Sequence, residues 1–119
     1  MSVVIVLPYP PSANRYLRHT SRGTYRTSEA NKYREQAGWI AKAAGARPIV
    51  GPVELKVTLH PRLTAKGKAS ETVLDLDNCL KVSIDSLQGV AFENDRQVKR
   101  ITLEYGHPVQ GGGLTVEVR

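Results

Sequence analysis

The sequence has little of what would place it in several large classes of protein. Its single cysteine, Cys79, cannot form a disulfide within the chain, and a lone thiol is typical of a reducing compartment. No apolar run approaches the roughly 18–20 residues that a membrane span requires. The opening segment carries only a short apolar stretch, at residues 3–7, and it has no basic leader, so it does not resemble a signal peptide. We therefore expect a cytoplasmic protein with no membrane association.

Aromatic residues are also scarce, at 6% of the chain, and they do not cluster. This disfavours a small RNA-binding domain that stacks bases on an aromatic platform. Apolar residues make up 40% of the chain and charged residues 24%, which argues against disorder. A chain of 119 residues is too short for two separate cores. We expect one domain spanning residues 1–119.

Charge is what the sequence has in excess. The formal net charge is +6 and the pI is about 9.7, which favours a polyanionic partner such as nucleic acid. Yet residues 71–95 hold six acids and one lysine, and all four aspartates of the chain lie there. Carboxylates repel a phosphate backbone unless a cation neutralises them, so this distribution is typical of a metal-dependent nuclease. The alternative is a solvated acidic helix face.

Hydrophobic periodicity predicts a small α+β domain with a mixed sheet and two helices on one face. The expected order is β-(β)-α-β-α-β-β, where the bracketed strand is short. The predicted elements are a strand at 3–7 covered on both faces, a loop at 8–23, a short strand near 24–26, a helix from 27 or 28 to about 44, a strand at 53–60, a mobile basic loop at 61–74, a helix at about 78–87, and strands at 98–105 and 114–118.

Helical spacing also predicts which side of each helix is buried. The stripe of the first helix consists of Ala30, Tyr33, Ala37, Ile40, Ala41 and Ala44. Trp39 lies well off this stripe, which indicates either a covering element or an interface. In the second helix, Leu80, Ile84 and Leu87 share one face.

Two aspartates just before the second helix are the first candidates for chemistry. In an extended segment, Asp75 and Asp77 point the same way and can converge on a cation, whereas on a helix they would be about 200° apart. We therefore expect residues 75–77 to be extended, with a helix beginning near Asn78 and Asp77 as a plausible N-cap. The alternative is that Asp77 only caps the helix and Asp75 only favours its dipole.

Lys81 and Asp85 follow at helical spacing from Asp77. Lys81 is placed to face a scissile phosphate and stabilise its developing charge. The plainer interpretation is a pair of i,i+4 ion pairs, from Asp77 to Lys81 and from Lys81 to Asp85. Asp95, in an acidic turn before a strand, is available as a third carboxylate.

Together these segments resemble a known family. The stretch DLDNCLKVSIDSL at residues 75–87, followed by NDRQV at 94–98, resembles the signature of RusA-type Holliday junction resolvases. The opening PYPPSANRYLRH at residues 8–19 resembles the proline-rich N-terminal motif of the same family. The resemblance covers nearly the whole chain, with the motifs in the same order.

The resemblance implies a homodimeric, Mg²⁺-dependent endonuclease that resolves four-way DNA junctions by paired symmetric nicks, in DNA recombination and repair. It implies that Asp75, Asp77 and Asp95 are catalytic metal ligands and that Lys81 is the functional lysine. Asp85 matches a further acidic position and is considered as an additional ligand. One or two Mg²⁺ ions per subunit are expected, with Mn²⁺ as a substitute. Many members have two adjacent acids where this chain has Asn94-Asp95, so Asp95 is taken as the functional one.

Basic and polar residues, all but one of them outside the acidic stretch, are candidates for DNA contact. They comprise Asn14, Arg15, Tyr16, Arg18, His19, Arg22, Arg26, Arg62, Lys66, Lys68 and Asn78. For Tyr16, packing against the prolines is the favoured alternative. Two other functions stay open at this point: a nuclease with looser preference among branched DNAs, and a non-catalytic basic DNA-binding module.

Overall fold

The chain folds around one four-stranded sheet. The computed structural model describes residues 2–119. Its elements are, in chain order, β1 (Val3–Leu7), α1 (Ala13–Tyr16), β2 (Leu17–Thr20), β3 (Gly23–Arg26), α2 (Ser28–Ala43), β4 (Val53–His60), α3 (Leu76–Leu87), a 3₁₀ turn (Asp95–Gln97), β5 (Val98–Tyr105) and β6 (Gly113–Val118).

The sheet is mixed, as the sequence predicts. Its strand order is β1-β6-β4-β5, and only the β4–β5 pair is parallel. A separate antiparallel hairpin consists of β2 and β3. The α+β class is confirmed, but the predicted loop at 8–23 is wrong in part, because it contains α1 and β2. The short α1 is capped by the Ser12 side chain, which accepts a hydrogen bond from the Arg15 backbone N–H at 3.3 Å.

The expectation that both faces of β1 are covered is wrong. Ile5 and Leu7 are buried, whereas Val4 is exposed and Val6 is 64% exposed. β1 is an edge strand, and its outward side chains lie on the face opposite the core. A run of β-branched residues therefore does not by itself distinguish a covered strand from a half-exposed edge.

The predicted α2 is confirmed. The Thr27 side chain caps it by accepting from the Ala30 backbone N–H at 3.2 Å, and Gly45 follows its end with φ of +92°. The core face contains Ala30, Tyr33, Ala37 and Ala41. Trp39 stays exposed on the opposite side.

The predicted face of α3 is rotated relative to the observed one. Cys79, Val82 and Ser83, with Ser86 and Leu87, form the buried side, whereas Leu80 and Ile84 are only partly buried. The difference arises because α3 packs against α1 and α2 as well as the sheet, so small residues such as Cys79 and Ser83 face the core. Ile84 is left at the edge of a cleft described below.

Residues 61–74 form a loop, as predicted, but this loop is internally hydrogen-bonded. The Thr64 backbone N–H donates to the Lys68 carbonyl at 2.7 Å, and Gly67 closes the turn with φ of +76°. The segment thus contains a hydrogen-bonded basic turn, and its mobility stays a prediction. Across residues 2–119, no helix combines the length and the apolar character needed to cross a membrane.

Candidate active site

The two aspartates of the DLDN stretch flank the start of α3. The helix begins at Leu76, so only Asp75 is extended (φ −66°, ψ 148°) and occupies the N-cap, while Asp77 lies in the first helical turn. The prediction of an extended segment through Asp77, with Asp77 as N-cap, is therefore wrong. Leu76 packs against the core, and this packing favours a helix that begins before Asp77.

Two tyrosines hold the residue that precedes this N-cap. The Leu74 backbone N–H donates to the Tyr9 hydroxyl at 2.8 Å, and the Tyr105 hydroxyl donates to the Leu74 carbonyl at 2.8 Å. Tyr9 comes from the proline-rich motif and Tyr105 from the end of β5. Both polar groups of one backbone position are thus fixed by side chains from distant parts of the chain, and this fixes where Asp75 stands.

The charges of both aspartates act on Tyr105. Desolvation and then the negative charge of Asp75 raise the pKa of Tyr105, and Asp77 acts in the same direction. A phenol beside carboxylates resists ionisation because a second negative charge there is unfavourable. The raised pKa favours the neutral hydroxyl, which is the form that donates to the Leu74 carbonyl.

A glutamine builds the turn that carries Asp95. The Gln97 side-chain oxygen accepts from the backbone N–H groups of Glu93 and Asn94, both at 2.9 Å. Its Nε2 donates to the carbonyls of Ile49 and Gly51, at 2.6 and 2.8 Å. The Asn94 side chain completes a capping box with Gln97. Asp95 is thus exposed on a turn whose backbone is rigidly held.

Asp95 and Lys81 meet at one cleft, which lies between the β2–β3 hairpin and α3. The cleft has a volume of about 680 Å³, and Asp85 also lines it. Asp77 precedes Lys81 by four residues, which is about 6 Å along the helix axis. The structure therefore brings Lys81 and Asp95 together and sets Asp75 and Asp77 about one to two helical turns away. Lys81 forms neither of the i,i+4 ion pairs considered above among the ion pairs of residues 2–119.

Asp85 is committed to protein partners. Arg26 donates to both of its oxygens at 2.9 Å, and Arg34 lies 3.2 Å from one of them. The Tyr16 hydroxyl donates to the same carboxylate. Burial alone would raise the pKa of Asp85, but the hydrogen bonds from Arg26 and Tyr16 outweigh it and hold the pKa below the ordinary value. This arrangement favours a structural role over the metal-ligand role considered for Asp85.

Tyr16 belongs to this cluster and not to the surface. It is 2% exposed, and burial together with the hydrogen bond to Asp85 raises its pKa far above that of a free phenol. The commitment of its hydroxyl to Asp85 favours a structural role, but Tyr16 also lines the cleft, so its DNA contact stays a prediction. The Arg26 guanidinium likewise forms an ion pair with Asp85.

The donor set at this end of the molecule fits a divalent cation only with ligands from outside the protein. Asp75, Asp77 and Asp95 are exposed, and none has an ion pair or a side-chain hydrogen bond within residues 2–119. No three His, Cys, Asp or Glu side chains in that range lie close enough to hold a metal by themselves. Magnesium accepts this situation, since it commonly binds one or two carboxylates and completes its shell with water and phosphate oxygens.

The remaining predicted DNA contacts are spread over three exposed places. Arg18, His19 and Arg22 lie on the hairpin, and Lys66 and Lys68 lie on the basic turn. Asn14 is exposed on α1, whereas Asn78 is half-buried in the first turn of α3.

Two of the predicted arginines share a groove. Arg15 and Arg62 both line it, together with Lys32. Arg15 also pairs with Glu29 at 3.3 Å, and the Arg62 guanidinium lies 4.1 Å from the centre of the Tyr9 ring. The groove therefore joins two basic segments that are far apart in sequence.

Sequence reasoning missed the residues that hold the site in place. Tyr9 and Tyr105 fix Leu74, Gln97 fixes the Asp95 turn, and Arg34 joins the Asp85 cluster. The Asn94-to-Gln97 spacing is a capping-box signal and was available from the sequence. No local pattern indicates the tyrosines, because their partner is a backbone group distant in the chain.

Exposed carboxylates, a lysine and a basic surface are the groups with which an enzyme that cleaves a phosphodiester works. Comparison with known proteins supports this class. The family model described as Endodeoxyribonuclease RusA matches residues 8–119. The chain belongs to this family, and the predicted family and enzyme class are confirmed.

Individual relatives align over nearly the whole chain. The chain is 33% identical over 117 residues to the crossover junction endodeoxyribonuclease rusA of Enterobacteria phage HK97, covering 95% of this chain and 90% of the relative. It is 31% identical over 118 residues to the enzyme of the same name from Enterobacteria phage 82, covering 96% and 91%. It is 30% identical over 116 residues to that of Escherichia coli strain K12, again covering 96% and 91%.

Proposed function

We propose that this protein is a Mg²⁺-dependent endodeoxyribonuclease that resolves four-way DNA junctions by paired, symmetric nicks, in recombination and repair. The observation that carries the proposal is made within the described residues of a strongly basic chain: three exposed carboxylates have no protein partners, and one of them, Asp95, shares a cleft with the unpaired Lys81. The crossover junction specificity named for the phage and E. coli relatives extends it to branched DNA.

The three carboxylates and the lysine have different tasks in this proposal. Asp75, Asp77 and Asp95 would hold the cation, with one or two ions per subunit and Mn²⁺ able to replace Mg²⁺. A bound Mg²⁺ supplies an activated water and neutralises charge on the oxygens around phosphorus. Lys81 faces the phosphate and stabilises the negative charge that develops on it. The basic hairpin and the Arg15–Arg62 groove hold the DNA arms by their phosphates.

Paired nicks require two active sites, and a C2 homodimer matches the near two-fold symmetry of a four-way junction. Trp39 is the large aromatic residue most exposed on α2 and is our candidate for the dimer interface. Sedimentation velocity at micromolar concentration measures the assembly state. We expect the native chain to sediment as a dimer and Trp39→Ala to shift it toward the monomer; an unchanged Trp39→Ala dimer would contradict this interface.

The substitution Asp75→Asn tests the metal assignment. It keeps the side-chain shape but removes a charged ligand, so we expect nicking of a synthetic four-way junction in Mg²⁺ to fall on the order of 100-fold or more. DNA binding should persist or tighten, because a negative charge facing phosphate is lost. Cleavage is measured on gels and binding by fluorescence anisotropy.

Glu71→Gln is a matched control, since Glu71 is an exposed acid of the same stretch that has no proposed role. Undiminished nicking by Asp75→Asn would contradict the assignment of Asp75 as a metal ligand.

The choice of DNA substrate tests the selectivity of the enzyme. If the native chain cleaves three-way junctions and linear duplexes as fast as four-way junctions, its function is a less selective nuclease activity and not junction resolution. No Mg²⁺-dependent nicking of any substrate would leave only a DNA-binding module.

A further inference from the structure

We propose that the cleft between the β2–β3 hairpin and α3 receives an unpaired nucleotide, a base lifted out of the duplex stack beside the phosphate to be cut. The inference rests on the proposed function, because it assumes that DNA lies across Lys81 and Asp95. It adds a binding site for a base to a catalytic site that otherwise contacts phosphate. The volume of about 680 Å³ falls within the roughly 300–1,000 Å³ typical of small-ligand pockets.

An aromatic ring is held ready on one wall of the cleft. Tyr25 lines it and is 53% exposed, although exposed aromatics are few in this chain. Its hydroxyl donates to the Arg22 carbonyl at 3.2 Å, so the ring is tied to the hairpin turn. A base stacks on such a ring only when its own face is free, and in a duplex that face is covered by the neighbouring base pairs. The ring therefore suits an unstacked base.

The remaining lining matches the two kinds of surface that a base presents. Leu17 and Ile84 add apolar side chains to the lining, and both are partly buried against the core. Asn31 and Gln88 bring side-chain amides that have no hydrogen-bond partner within residues 2–119. An amide offers a donor and an acceptor together and is the side chain that most naturally pairs with a base edge.

The cleft is also preformed. Asp85 accepts both hydrogen bonds from Arg26 at the end of β3, and this fixes the hairpin wall against α3. A pocket whose walls are already in place does not have to be ordered when the ligand enters. Because Lys81 and Asp95 line the same cleft, a base held there leaves its own phosphate next to the proposed catalytic residues.

A double-mutant cycle between protein and DNA tests the proposal. Junctions with a single abasic site at each position around the nick are bound to the native chain and to Tyr25→Ala, and affinity is measured by anisotropy without Mg²⁺. We expect Tyr25→Ala to weaken binding of the intact junction about tenfold. At one abasic position, the loss of affinity from Tyr25→Ala and the loss from removing the base should not add. Either change alone removes the stacking contact between the ring and that base.

Tyr25→Phe is the control, because it keeps the ring and loses only the hydroxyl; we expect it to bind within about twofold of the native chain. A second set of junctions differs only in the base at the position where the abasic site and Tyr25→Ala are coupled. Replacing Asn31 and Gln88 together by Ala should reduce the differences in affinity among these junctions. Circular dichroism of each variant checks that the fold is retained, which we expect because Tyr25 is exposed.

Additive losses at every abasic position would overturn the nucleotide site. That result is distinguishable from failure of the proposed function, which would show as absence of nicking by the native chain with Mg²⁺. Coupling in the binding cycle without any nicking would support the site and reject the catalytic role.

Discussion

α3 carries acidic residues near both of its ends, and the two ends have different surroundings. At the amino end, Asp75 and Asp77 are exposed and lack ion pairs within residues 2–119. Two turns later, Asp85 is held by two arginines and a tyrosine. The same side chain thus serves opposite purposes in one helix. An uncommitted carboxylate is available to an external cation, whereas a fully partnered one holds two parts of the protein together.

This comparison teaches that partners, more than residue type, decide what an acidic residue does. Asp85 matches an acidic position of the family and is considered as an additional metal ligand on that ground, while its spacing from Lys81 suggests an ion pair. Its partners come from α1, β3 and α2, and no spacing along α3 indicates them. The basic hairpin depends on this contact, because Arg26 is the point at which β3 is fixed to α3.

The largest expected difference between the two ends of α3 is in the effect of a substitution on the free energy of unfolding. We expect Asp85→Asn to lower the free energy of unfolding by about 1–2 kcal/mol, because charge-assisted hydrogen bonds are lost and the arginines keep part of their exposure to water. Asp77→Asn should cost less than about 1 kcal/mol, since only the favourable charge of the first helical turn is lost. Urea denaturation of both variants measures the difference.

Both substitutions turn the same residue into the same amide on the same helix, so each serves as a control for the other. Equal losses at the two positions would contradict the division between them. An Asp85→Asn protein as stable as the native chain would show that the cluster does not stabilise the fold.

A smaller effect is expected in the pH dependence of stability. Because the pKa of Asp85 is lower in the folded chain, its contribution is complete above the ordinary aspartate value of about 3.9 and disappears as the pH falls through the folded value. The stability difference between the native chain and Asp85→Asn should therefore be constant from about pH 7 to pH 5 and shrink below about pH 4. Urea titrations at these pH values test this; a difference that grows on acidification would contradict it.

Much of the fold was predictable because the signals are local. The alternation in β4, the Thr27 cap and Gly45 end of α2, and the order of the main elements all follow from neighbouring residues. What failed depends on contacts between elements. The open face of β1 and the rotation of α3 are set by which neighbour covers each surface, and one strand or helix alone does not contain that information.

The candidate site also has residues that the sequence indicates and contacts that only the folded chain shows. The acidic stretch, Lys81 and Asp95 stand out by composition and by family resemblance, and their catalytic roles stay predictions. The early start of α3 at Leu76 moved Asp77 into the helix, because core packing of Leu76 outweighed the expected cap. The burial of Tyr16 and the engagement of Asp85 could not be predicted, since both depend on side chains that meet only in the folded chain.

The pair of tyrosines on Leu74 has a consequence for how the site is assembled. Tyr9 lies near the amino terminus and packs beside Gly112, where an added Cβ would fall 2.5 Å from the Tyr9 ring. Tyr105 ends a strand whose pairing with β4 is parallel and therefore non-local. The carboxylate that begins α3 is thus positioned by two segments on either side of it in the chain, one that follows β1 and one that ends β5. During synthesis, Leu74 cannot be held in this way until Tyr105 has emerged and the segment with Tyr9 has docked beside Gly112.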